Sequence, residues 1–207
     1  MVTRTTTGSV LAGLCAGTPV PRIELRVIRP HDLPVELGSS GWSEWDVEQG
    51  GEGEIVVAGP HVLGEYFDSV DETRRHKIRD GATVWHRTGD GGRLDDEGRL
   101  WLLGRLSARV RRYDQLWWST PAELRALSVA GVRHAAFLGV PDVSMGERAV
   151  LCLECDDLDE IRDRILPALA PIPVDEIRSL RRIPRDPRHA SKTDMEALRR
   201  LINASER

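Results

Sequence analysis

Lysine, cysteine and long apolar runs are scarce in this sequence of 207 residues. Only two of its 29 basic residues are lysine, Lys77 and Lys192, and the others are arginine. A compact ammonium can do work that a guanidinium cannot, so the position of each lysine is informative. No apolar run approaches the roughly 18 residues that a membrane-spanning helix needs, which excludes such a helix.

The three cysteines, Cys15, Cys152 and Cys155, are too few for a disulfide-stapled miniprotein. The first twenty residues form a poor signal peptide, because their apolar stretch is short and broken by glycine. We therefore expect a reducing, cytoplasmic setting. Cys152 and Cys155 have the spacing of a zinc half-site, but a structural site needs four ligands and no second pair is present. We expect two partly buried thiols and no metal site.

The balance of charge does not favour nucleic acid as a partner. The 29 basic and 33 acidic residues give a net charge of −4. An arginine-dense run over 178–192 resembles an RNA-binding patch, but it contains two prolines, one interleaved acid and no stacking aromatic residue. A solvated loop is the better interpretation of this run.

The sequence patterns predict an α+β fold whose first part is mostly β. The alternation in RIELRVIR predicts a strand over 22–29, EIVVA predicts a second strand over 54–58, and a turn at 95–98 predicts a hairpin. A capping box at Ser69 predicts a short helix that reaches about Ile78 and carries Lys77.

The second part is predicted to be a small α+β unit. A helix with a capping box at Thr120 and a final helix with Leu198 and Leu201 facing inward are expected. Between them we predict strands over 134–140 and 148–155 and an amphipathic helix over 158–170.

Several separated segments, taken together, are more informative about function than any single motif. They are GEGEIVVAGPHVLGEYFDSVDETR (51–74), WHRTGDGGRLDDEGRLWLLGR (85–105), TPAEL with GVPD and GE (120–147), and IPRDPRHASKTDMEALRR (183–200). Together they resemble the adenylate-forming enzymes, the superfamily of acyl-CoA synthetases, adenylation domains and luciferases. The resemblance covers nearly the whole chain, with the segments in the right order.

The resemblance implies a domain organisation. Residues 1–104 would be the β-rich last subdomain of the large N-terminal AMP-binding domain. Residues 105–107 would be the hinge, and residues 108–207 the complete C-terminal lid domain.

The resemblance also implies roles for three residues. Asp90 would accept hydrogen bonds from the ribose hydroxyls of ATP, and Arg105 would be the hinge arginine that also reaches the ribose. Lys192, just before the last helix, would be the catalytic lysine that bridges the carboxylate and the α-phosphate. Taken singly, these residues are equally typical of a turn, a surface salt bridge and a solvated lysine. For Lys77 we expect only the solvated role.

The implied reaction joins a carboxylic acid, fatty or β-hydroxy, to the α-phosphate of ATP and expels pyrophosphate, with Mg²⁺ expected. A role for CoA is doubtful, because the hinge carries Ser107, the loop after it lacks glycine, and Trp117 and Trp118 occupy the stretch where pantetheine needs room. LCAGTPVPRIELRVI and IPRDPRHASK also look like β-lactone synthetases, whose substrate hydroxyl attacks its own acyl-AMP. CoA, a carrier protein and an internal hydroxyl stay open as acceptors.

In this superfamily the phosphate loop and the acid pocket lie upstream of the segments matched here. We therefore expect this chain to be inactive alone and to work with an N-terminal region or a separate N-terminal subunit. A competing hypothesis is a non-catalytic, lid-like docking or accessory module, whose exposed apolar surface would be the partner interface. A third is a decaying gene remnant, against which the intact Asp90, Arg105 and Lys192 argue.

Overall fold

A computed structural model of the chain describes residues 13–187 and 192–204. The chain divides into two compact units, with the division between Ser107 and Ala108. Among the described residues, no helix is both long and apolar enough to cross a membrane.

The first unit is built on one antiparallel sheet. Its strands are β1 (Leu14–Gly17), β2 (Glu24–Ile28), β3 (Gly53–Ala58), β4 (Lys77–Asp80), β5 (Thr83–Leu94) and β6 (Leu100–Arg105), and its one α-helix among the described residues is α1 (Val70–His76). The strand order is β1-β6-β5-β3-β2, and β4 pairs with the first half of β5. The predicted hairpin is confirmed as β5 and β6.

The core of this unit follows from alternation along β2 and β3. Ile28, Val56 and Ala58 point to one side of the sheet, where they pack with Ile78 and Trp85 and lose nearly all contact with water. The strands predicted over 22–29 and 54–58 are both confirmed, but Leu25 and Val27 of the predicted alternation point to the face opposite Ile28.

The helix predicted to reach Ile78 is two residues too long. It ends at His76, and Lys77 begins strand β4, in which Ile78 pairs with Trp85 and is fully buried. Burial of Ile78 in the sheet outweighs the local preference for another helical turn. Ser69 is the N-cap residue, but its side chain makes no capping hydrogen bond.

Within the described residues, the second unit combines three helices with a mixed sheet. The helices are α2 (Ser119–Leu127), α3 (Leu158–Leu169) and α4 (Met195–Ala204), and the strands are β7 (Val110–Arg112), β8 (Gln115–Trp117), β9 (Val132–Asp142), β10 (Gly146–Cys155) and β11 (Glu176–Ser179). The strand order is β11-β10-β7-β8, with β9 also paired to β10. β10 and β11 are parallel and the other pairs are antiparallel.

This arrangement confirms the α+β fold class, with two details corrected. On α4 the inward residues are Leu198 and Ile202, four apart and so on one helix face, while Leu201 is 41% exposed. The capping box predicted at Thr120 is wrong. The Glu123 carboxylate instead accepts a hydrogen bond from the Phe137 N–H at 3.1 Å.

Candidate functional site

The hairpin of β5 and β6 places Asp90 directly opposite Arg105. Arg105 Nε lies 3.0 Å from Asp90 Oδ1, and the two side chains are 57% and 38% exposed. Arg105 Nη1 also approaches the Thr88 carbonyl oxygen at 3.4 Å. A carboxylate oriented by a guanidinium, with both groups open to solvent, is a suitable acceptor for vicinal hydroxyls.

The backbone before Asp90 is fixed by Thr88. Its hydroxyl donates to the Ile55 carbonyl oxygen on β3 at 2.8 Å and accepts from the Asp90 N–H at 3.1 Å. Between them Gly89 has a φ of +70°, a left-handed conformation that other residues adopt at a cost. A Cβ built on Gly89 meets no atom within 4 Å, so the space above this bend is open.

Behind the bend, Arg87 anchors β5 inside the unit. Arg87 Nη2 lies 2.6 Å from Glu54 Oε2, and both side chains are buried. The same guanidinium donates to the carbonyl oxygens of Leu33, His31 and Arg75. The buried arginine is therefore fully hydrogen-bonded, which is the condition under which a buried charge is tolerated.

The hairpin turn is fixed by Asp95. Its carboxylate accepts hydrogen bonds from the backbone N–H groups of Glu97 and Arg99, from Arg99 Nε and from Trp101 Nε1. These donors hold the pKa of Asp95 well below its usual range despite burial. The turn thereby fixes the register that sets Arg105 opposite Asp90.

Lys192 lies in the second unit and its side chain is exposed. The Lys192 carbonyl oxygen accepts from the Asp186 N–H at 2.8 Å, and the Asp194 N–H donates to the Pro184 carbonyl oxygen at 3.0 Å. A single antiparallel bridge joins Arg185 to Thr193 between these bonds. Lys192 is thus held three residues before α4 begins.

The structure therefore brings two of the three predicted site residues together. Asp90 and Arg105 form one site in the first unit, and Lys192 belongs to the second. Their roles toward a nucleotide stay predictions.

The environment of Lys77 was predicted wrongly. It lies on β4 rather than on α1, and it is 9% exposed rather than solvated. Burial lowers the pKa of its ammonium. The scarcity of lysine was the sequence signal that singled it out.

The described residues contain no group of three or more His, Cys, Asp and Glu side chains that could hold a metal ion. We therefore assign no Mg²⁺ ligand to them. Cys152 and Cys155 are free thiols, both buried, and burial raises the pKa of Cys152 to about 12. Of the two tryptophans in the stretch where pantetheine would need room, Trp118 is buried and Trp117 is partly buried.

Comparison with known proteins identifies the superfamily to which this architecture belongs. No family model matches the chain. The o-succinylbenzoate CoA synthetase (MenE) of Bacillus subtilis, solved with an acyl-adenylate intermediate, is 28% identical with a TM-score of 0.66, over 91% of this chain and 35% of that one. ATP-bound MatB of Rhodopseudomonas palustris shares the fold, with a TM-score of 0.71 and 23% identity over 90% of this chain and 35% of its own.

In sequence and fold the chain belongs to the adenylate-forming superfamily, and it corresponds to the C-terminal region of those enzymes. Among curated proteins it is similar to the olefin β-lactone synthetase of Stenotrophomonas maltophilia, with 39% identity over 149 residues. That alignment covers 69% of this chain and 26% of the relative, so the chain spans about a quarter of the relative's length.

Proposed function

We propose that this chain is the C-terminal part of an ATP-dependent adenylate-forming ligase that activates a fatty or β-hydroxy acid as its acyl-AMP. The observation that carries the proposal is the Asp90–Arg105 pair beside the open bend at Gly89. A ribose there would place its two hydroxyls against the Asp90 carboxylate, with Arg105 keeping that carboxylate oriented. ATP binding is supported by the ATP-bound neighbour of the same fold.

Lys192 is proposed as the catalytic residue. In the reaction an oxygen of the carboxylate attacks the α-phosphorus, and the bond to the pyrophosphate leaving group breaks. Two anions meet at this step, so a mobile ammonium that contacts both neutralises the charge that builds up between them. The exposed side chain and the backbone bonds around Lys192 support this role.

We further propose that the substrate's own hydroxyl, rather than the thiol of CoA, attacks the acyl-AMP. Closure of a β-lactone then releases AMP. The similarity to an olefin β-lactone synthetase supports this fate, and so does the bulky, partly exposed side chain of Trp117.

The proposed ligase needs more than this chain. We place the phosphate loop and acid pocket in an N-terminal region, covalently joined or separate, because the chain spans 26% of its curated relative. Residues 105–107 are proposed as the hinge, which the division between units at Ser107 supports. A cytoplasmic location is proposed on the three free cysteines.

A second candidate is a non-catalytic, lid-like docking module for a partner that carries the rest of the ligase fold. The observation that favours it is a set of exposed apolar side chains before and at the start of α1. Leu63 is 74% exposed, Phe67 99% and Val70 75%. Contiguous apolar surface of this kind is typical of an interface.

The deciding experiment uses the native assembly, purified from its host and characterised by intact mass and composition. ATP–pyrophosphate exchange is then measured for Lys192→Ala, with Arg182→Ala as the matched control that removes an exposed cation of the same unit. We expect Lys192→Ala to slow exchange by about 10²–10³-fold, because the charge at the α-phosphate is no longer neutralised. The control should retain wild-type exchange.

Unchanged exchange in Lys192→Ala would refute the catalytic role. Loss of the assembly in Phe67→Ser, together with indifference to Lys192→Ala, would favour the docking module. A free chain of 23.1 kDa without any partner that carries a phosphate loop would also count against the ligase.

A further inference from the structure

A cavity of about 310 Å³ lies on the first unit beside β4, away from the residues assigned to the nucleotide. Its lining combines two aliphatic side chains, a hydroxyl, three cations and one acid: Val35, Leu37, Thr73, Arg74, Lys77, Arg79 and Glu36. The lining therefore carries a net charge of +2 when these groups have their usual ionisation.

Lys77 is the most buried cation of this lining, at 9% exposure. Its Nζ lies 5.2 Å from the centroid of the Tyr66 ring, and among the described residues no carboxylate pairs with it. A ring face compensates an ammonium only partly. Because the Lys77 side chain is largely buried and no described carboxylate neutralises its charge, an anion that reaches the ammonium through the cavity would be bound favourably.

The other cations of the lining are accessible. Arg79 is exposed and lies two residues beyond Lys77 on β4, so both side chains leave the same face of the strand. Arg74 Nη2 lies 3.4 Å from Glu36 Oε1, but both side chains are largely exposed, and such a pair is weak. An incoming anion can therefore compete with Glu36 for Arg74.

The remaining polar group of the lining, the Thr73 hydroxyl, already makes two hydrogen bonds within the protein. The Thr73 hydroxyl donates to the Ser69 carbonyl oxygen at 2.8 Å and accepts from the Tyr66 N–H at 2.9 Å. Recognition in this cavity thus depends on cations rather than on hydroxyl or carbonyl groups, which distinguishes it from a sugar or a metal site.

We propose that this cavity binds a phosphate group, held by Lys77 and Arg79 and joined by Arg74. A phosphate dianion matches the +2 charge of the lining and offers three oxygens to three cationic donors. Leu37, which is partly exposed, provides apolar contact for the carbon attached to the phosphate. The ligand class is therefore a phosphomonoester, with inorganic phosphate as its minimal form.

The scarcity of lysine makes the test direct. In a chain labelled with ¹³Cε-lysine, only Lys77 and Lys192 give resonances. We expect sodium phosphate, titrated at ionic strength held constant with sodium chloride, to shift the Lys77 resonance saturably and to leave Lys192 unmoved. Parallel, unsaturable shifts of both resonances would indicate nonspecific ion binding and would overturn the proposal.

Two substitutions that keep the Lys77 reporter should change the affinity in opposite directions. Arg79→Gln should weaken phosphate binding several-fold, and Glu36→Gln should strengthen it, because it removes the only acid of the lining. Arg29→Gln, which removes an exposed arginine outside the lining, is the matched control and should leave the affinity unchanged. Equal effects of Arg79→Gln and Arg29→Gln would contradict a specific site.

The source of the phosphate group is distinguished by three probes. Saturation by inorganic phosphate or by glycerol phosphate would assign a soluble ligand. Binding only to phosphatidate vesicles, and not to phosphatidylcholine vesicles, would assign a lipid headgroup. Failure of all three probes would overturn the site, and none of these results bears on Lys192.

Discussion

Two acidic side chains give this protein opposite responses to pH. Asp95 keeps its carboxylate ionised, so the stability that it contributes is present above the unfolded pKa and is lost as the pH falls. At Glu123, burial raises the pKa from 4.5 to about 7. The folded state therefore binds an extra proton between these two values, and its stability falls as the pH rises through them.

Replacement of Glu123 by Gln should remove this penalty. The Gln carbonyl still accepts the Phe137 N–H but carries no charge to bury. We expect Glu123→Gln to raise the free energy of unfolding by about 2–3 kcal/mol at pH 8 and to change it little at pH 4.5. Urea unfolding at the two pH values measures the difference. Asp163→Asn on the exposed side of α3 is the control, and equal effects of Glu123→Gln at both pH values would refute the assignment.

At the scale of single elements, α4 shows how a helix face is selected. Leu198 and Ile202 are fully buried against Ala136, Leu138 and Val150 of the second sheet. Leu201 is three residues from Leu198 but lies far enough around the helix to remain 41% exposed. Both 198/201 and 198/202 are acceptable spacings for an apolar stripe, so the sequence pattern alone does not choose between them.

The two leucines of α4 therefore form a matched pair of test sites. Leu198→Ala should lower the free energy of unfolding by about 2–5 kcal/mol, because it leaves a cavity in a closed core. Leu201→Ala removes the same atoms from a half-solvated position and should cost less than about 1 kcal/mol. Chemical denaturation of both variants measures the two values, and similar losses would show that the assigned face is wrong.

In the whole molecule, each unit has its own apolar core. Ile28, Val56 and Trp85 belong to the core of the first unit, and Leu138 and Leu198 to that of the second. Packing energy is short-ranged, so a core substitution should act first on the unit that contains it.

Arg87→Met tests this separation. It leaves Glu54 buried without its partner, and we expect a loss of about 3–5 kcal/mol. Glu54→Gln should cost less, since Arg87 still donates to the carbonyl oxygens of Leu33 and Arg75. Hydrogen exchange should show faster amides in β3 and β5 and unchanged amides in β9 and β10. Acceleration in both units would indicate a single cooperative core.

Much of the fold could be predicted where the sequence pattern is compatible with only one type of secondary structure. Strands β2, β3, β9 and β10 carry clear apolar runs, and the β5–β6 turn carries its Asp and Gly. The conversion of Lys77 and Ile78 to a strand depends on pairing with His86 and Trp85, which the capping and apolar pattern of the helix does not reveal. The short strand β11 forms through its pairing with β10, a partner more distant in sequence.

The candidate site, like the fold, could be predicted from the sequence only in part. Asp90 and Arg105 were singled out by resemblance, and only the register of β5 and β6 shows that they touch. The cationic cavity had no sequence signature, because Val35 and Arg79 come from elements that are separated by 44 positions. A pattern of residue types along the chain predicts local secondary structure. It does not predict a cavity, because the walls of a cavity come from segments that are brought together only by folding.

The backbone bonds around Lys192 have a consequence for how this region can diverge among relatives. Residues 184–186 are held to residues 192–194 by two hydrogen bonds and a bridge. Residues can be gained or lost between these two paired stretches while the distance from Lys192 to α4 stays constant. Length variation should therefore be tolerated here even where the lysine itself is invariant.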